Sequence, residues 1–134
     1  MGFPDEFFDS LRDCVLAWEE MGIQCKPFFA TPYPGSEWYN KYKDRILAQY
    51  GGDLESFLLD LGDATRVTGN ICENFNAVEL YGLRELMVHR DLRRLAEYEA
   101  HWRKLHGEPR IPEIKWEGAR RRTVPRRGEG APAP

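Results

Sequence analysis

The segment Gly82-Leu83-Arg84-Glu85-Leu86-Met87-Val88-His89 sets an arginine and a histidine five positions apart within an apolar helical pattern. An imidazole titrates near neutral pH and can take or give a proton. A guanidinium can hold a phosphate through two parallel N–H donors. On a helix their separation is about 140° of rotation, so they do not share one face. Arg84 itself falls on the apolar stripe. Its structural use there is a stem packed over the core with the charged head in a salt bridge. The second charged constellation is Arg120, Arg121, Arg122, Arg126 and Arg127, five arginines in eight residues. Such a run can grip RNA, DNA or an acidic protein face through counterion release. No aromatic residue is interleaved with it, so base stacking is not suggested.

Other chemistries lack their residues. The chain has no glycine-rich phosphate loop, no Cys-x-x-Cys, no His-Glu-x-x-His and no Gly-x-Ser-x-Gly elbow. His101 and His106 are five apart and do not stack as a zinc pair would. No metal and no cofactor is expected.

The Arg-x4-His spacing of Arg84 and His89 resembles the signature of HEPN-type ribonucleases, small helical bundles often found as bacterial toxins. The resemblance covers about ten residues. It implies a dimer in which Arg84 and His89 meet their symmetry mates in a cleft and act on the RNA 2′-hydroxyl and the scissile phosphate. The chain departs from that pattern at Glu85, where the family usually has Asn, Asp or His, and at Asp91, where it often has Tyr. A second stretch, Arg45 to Leu61, resembles a helix–turn–helix fragment of small bacterial proteins encoded near toxin–antitoxin genes. It carries no functional residues.

The elements that must position these groups are helical. Phe7, Leu11, Cys14, Trp18 and Met21 step by four, three, four and three, which predicts a helix from Asp5 to Met21 closed by Gly22. Cys14 and Cys72 are expected in the core as small apolar residues. Three prolines between Lys26 and Gly35 forbid a helix interior. They make Ile23–Gly35 an extended aromatic connector, with a short edge strand at Ile23–Cys25. Ser36 is placed to cap a second helix carrying Trp38, Tyr42, Ile46 and Tyr50, and Asp53 a third carrying Leu54, Phe57, Leu58 and Leu61. A long last helix is predicted from Cys72 or Asn74 to His106, with Val78, Tyr81, Val88, Leu92, Leu95, Tyr98, Trp102 and Leu105 in one stripe. Gly82 marks a kink or a close crossing in it, and Glu99 pairs with Arg103 one turn on. The expected fold is mainly α, an irregular bundle of three or four helices. Its organisation is a helical domain at 1–107, a strap at 108–118 in which Ile111, Ile114 and Trp116 lie back across the body, and a disordered Arg/Pro-rich tail at 119–134.

The chain has 134 residues, a size for one domain whose core needs no disulfide or metal. Residues 1–66 carry 12 acids against 6 bases, and residues 67–134 carry 10 against 13. An acidic body with a basic end suits head-to-tail association or an acidic partner. No apolar run is long enough to span a membrane, no secretory leader is recognisable, and the odd cysteine count suits reduced thiols in a cytoplasmic setting. The first functional expectation is therefore a non-catalytic interaction protein, a small bacterial or phage accessory subunit that binds a larger protein, or its own copy, through helix faces. The alternatives are a metal-independent ribonuclease using Arg84 and His89, and a nucleic-acid-binding factor working through the arginine tail.

Overall fold

Local capping chemistry fixes most of the helix ends. The computed structural model describes residues 1–111. Ser36 accepts a hydrogen bond from the Tyr39 N–H at 3.2 Å and opens a helix over Glu37–Gln49. Asp53 accepts from the N–H groups of Glu55 and Ser56 and opens Leu54–Asp60. Asn76 and Glu79 bond each other's backbone N–H, a capping box that starts Ala77–Val88. Asp91 accepts from Arg94 and starts Leu92–His106. With Phe8–Met21, closed by Gly22 at φ 65°, these are α1 (Phe8–Met21), α2 (Glu37–Gln49), α3 (Leu54–Asp60), α4 (Ala77–Val88) and α5 (Leu92–His106).

The protein is thus mainly helical, with five helices and no strand among the described residues. Three expectations on element boundaries need correction. The long last helix is two helices, separated at His89–Asp91, where Arg90 adopts φ 53°. The edge strand at Ile23–Cys25 is absent; that stretch is irregular chain. The first helix also begins later than expected, at Phe8, so Asp5 lies outside its first turn and Asp9 takes that place.

Packing sets helix phases that differ from the apolar pattern of the sequence. The buried residues of α1 are Phe8, Leu11 and Val15, a stripe rotated from the one through Cys14 and Met21. Cys14 is exposed, contrary to expectation, whereas Cys72 is buried as expected. On α4 the buried stripe is Leu80, Leu83 and Met87, while Val78 faces outward, 79% exposed. On α5 the core residues are Leu95 and Trp102, and Leu105 is exposed. Helices α1, α4 and α5 pack on one another around the rings of Phe7, Phe8, Phe75 and Trp102. Helix α2 packs on α3 around Tyr39, Tyr42, Ile46 and Phe57, forming a second core with Ile71. The aromatic connector contributes Phe29 to the first core and leaves Phe28 and Tyr33 exposed. Of the strap, residues 108–111 are described; Ile114, Trp116 and the tail at 119–134 lie outside the described residues.

Candidate functional site

Helix α4 carries Arg84 on its flank. The side chain is 19% exposed, with its Nε donating to the Pro27 carbonyl at 2.9 Å. The side chain is thus largely covered, and its head is directed first to a backbone oxygen of the connector. Its Nη1 also lies 3.7 Å from Glu85 Oε1. His89 closes the helix and its imidazole is largely exposed, with Nε2 3.5 Å from Glu85 Oε2. Among the described residues Glu85 thus meets both motif residues, and the contact to His89 is ionic only when the imidazole is protonated. A carboxylate at that position can orient an imidazole. It also opposes an incoming phosphate. Arg120, Arg121, Arg122, Arg126 and Arg127 lie outside the described residues.

Sequence reasoning missed a cleft of about 770 Å³ between the two cores. Asn70, Asn74, Phe75 and Trp102 line it, with Arg45 and His106 among its polar groups. Most of its amides are already committed. Gln49 exchanges two hydrogen bonds with the backbone of Asn70, both at 2.8 Å. Asn70 accepts from the Cys72 N–H and donates to the Phe75 carbonyl. Buried Asn74 donates to the carbonyls of Glu6 and Arg110 and accepts from the Arg110 N–H at 2.7 Å. Arg45 donates to the Cys72 carbonyl and lies 3.3 Å from Glu73 Oε1. Burial pushes the Cys72 thiol above its ordinary pKa, which keeps it protonated and poorly nucleophilic. The only sequence signal for this cleft is the density of side-chain amides at 70, 74 and 76, residue types that bond local backbone as readily as ligands. Among the described residues no three His, Cys, Asp or Glu side chains gather as a metal site.

What remains open outward is helix surface. Val78, Gly82, Glu85 and His89 lie in line along α4, with Tyr81 beside them, all exposed. Leu54, Leu58 and Leu59 are exposed on α3. No helix of the described residues is long and apolar enough to cross a membrane. Among the described residues the fold and its outward faces are those of an all-α protein with five helices. In comparisons with family models, curated proteins and solved structures, nothing matches the chain.

Proposed function

We propose that the protein is a non-catalytic helical interaction protein, a small accessory or assembly subunit that binds a larger protein through an exposed helix face. Gly82 carries this reading. A glycine in a helix interior costs about 1 kcal/mol relative to alanine. Helix α4 runs through Gly82 without interruption, so the glycine serves no break. A Cβ at that position would meet nothing of the described residues within 4 Å, so it serves no crossing among them either. An external helix laid across Val78, Tyr81 and Glu85 would use it, because the missing side chain lets two backbones approach closely.

The test separates folding from binding. Gly82→Ala is expected to raise the melting temperature by a few degrees, since helix propensity improves and nothing is displaced. Gly82→Leu fills the outward face as well. Both variants should weaken self-association, read by light scattering, or recovery of the partner from an extract of the source cell, with Leu the more severe. If neither association changes in either variant, the reading falls.

A ribonuclease using Arg84 and His89 is the second reading, and the exposure of the His89 imidazole beside Glu85 supports it. The engagement of Arg84 with Pro27 weighs on the other side. Metal-free cleavage of RNA by the purified protein, lost in His89→Ala, would establish it.

A further inference from the structure

Helix α3 presents apolar side chains to solvent although it is only seven residues long. Phe57 is fully buried in the second core and fixes the helix to α2. The Tyr50 hydroxyl adds a hydrogen bond to Asp60 at 2.7 Å, which ties the last residue of α3 to the end of α2. On the outer arc lie Leu54 and Leu58, one turn apart, and Leu59, which is 79% exposed. Glu55 stands between them around the helix. From Asp53 to Asp63 the chain carries four carboxylates and no lysine or arginine. Asp60 is met by Arg66 at 2.9 Å. Asp53 and Asp63 accept bonds from neighbouring N–H and hydroxyl groups, which hold both carboxyls below the usual range and keep them ionised. The result is a leucine knob within an anionic rim.

We propose that this leucine face docks a basic amphipathic segment of a partner protein, with apolar residues covering Leu54, Leu58 and Leu59 and lysines or arginines meeting Asp53 and Glu55. The inference rests on the interaction reading above and names the chemistry of one partner. Covering the leucines removes apolar area from water, and the rim selects the sign of the charge. An acidic or uncharged apolar segment covers the leucines equally well but gains nothing from the carboxylates.

The test uses the full chain and two synthetic helical peptides, one with leucine on one face and lysine on the other, the second with glutamate for every lysine. Calorimetry should show the lysine peptide binding, more weakly as salt rises, and the glutamate peptide not binding. Leu59→Ser should weaken the lysine peptide about tenfold, because the apolar contact of one leucine with the peptide is lost. Glu55→Lys should weaken it about threefold and bring in the glutamate peptide. Both side chains are exposed, so circular dichroism and melting should stay at the wild-type values. Equal binding of the two peptides overturns the proposal, as does equal binding by wild type and Leu59→Ser. A synthetic peptide of residues 119–134, whose one aliphatic side chain beyond alanine and proline is Val124, should bind less tightly than the lysine peptide. If it binds as tightly, charge alone suffices and the leucine face has no part. A protein that keeps its Gly82-dependent association but fails these arms loses this proposal and retains the wider reading.

Discussion

Glu85 shows how far residue types carry a functional argument. Arg84 and His89 were legible as a pair from spacing, and Glu85 was legible as a departure from the pattern they resemble. What the sequence did not contain was the Pro27 carbonyl, 57 positions away, which takes the Arg84 Nε. A backbone acceptor has no residue signature, so such a contact becomes visible only when the connector is placed on α4. The same holds for Tyr50, an expected core residue of the second helix. Its hydroxyl donates to Asp60 Oδ2, and burial, with the Asp60 carboxylate beside it, pushes the phenol up to about 12. A phenol raised in the folded state favours folding while it is protonated in both states. The unfolded chain ionises first, near 10, so this stability is complete below pH 10 and is lost as pH rises toward 12. Tyr42 and Tyr98 are raised as well, both chiefly by burial, and contribute with the same sign. Urea unfolding at a series of alkaline pH values should therefore show falling stability across that window. Tyr50→Phe should flatten the fall without removing it. A Tyr50→Phe protein with the wild-type slope would show that this hydrogen bond does not govern the titration.

At the scale of elements, the short helices were readable and the long one was not. Ser36, Asp53 and Gly22 are capping residues at the ends of single apolar runs, and all three cap as their chemistry suggests. Between Asn74 and His106 the apolar residues are dense enough that a continuous stripe can be drawn through a phase break. Arg90 hides that break because the left-handed turn is made by a residue other than glycine or proline. Its side chain compensates, with Nη1 3.2 Å from Glu19 Oε1 and Nη2 bonded to the Ile23 carbonyl, so the corner is tied to the end of α1. Two residue signals do mark the helix starts: Asn76-x-x-Glu79 as a capping box and Asp91 as the cap of a fresh helix. Both ends should be sensitive. Asp91→Ala is expected to cost about 1 kcal/mol by removing the acceptor for the Arg94 N–H. Asn76→Ala should cost a similar amount. If the two helices behaved as one continuous element, Asp91→Ala would improve interior propensity and raise the midpoint of thermal unfolding instead. The direction of that shift decides between the two descriptions.

For the whole molecule, the two cores are joined by the irregular segment from Val67 to Asn76 rather than by a broad helix–helix contact. A single-sequence pattern identifies which faces are apolar. It does not say that one set of faces closes around Phe75 and Trp102 and another around Phe57, because the partition depends on contacts far apart in the chain. The joint is built from close approaches and amide bonds. Gly69 takes φ 65°, and a Cβ there would come within 3.0 Å of the Phe57 ring and 3.1 Å of Ile46. Five residues on, Asn74 spans 68 positions to Glu6 and 36 positions to Arg110 with one side-chain amide. It thereby fastens both ends of the described chain to the joint. Removing it leaves the Glu6 and Arg110 carbonyls and the Arg110 N–H to find water beside a partly buried site. Asn74→Ala is expected to cost about 1–3 kcal/mol, more than an exposed cap, because one buried amide makes three hydrogen bonds and all three are lost together. The loss should also be local in a way that a cap variant is not. Freed from Asn74, the chain after α5 should become a better protease substrate, and trypsin should cut after Arg110 faster than in wild type. Asp91→Ala, matched for lost stability, should leave that cleavage rate nearly unchanged. Equal acceleration in the two variants would mean that Arg110 is protected by global folding alone and that the Asn74 amide does not clamp it.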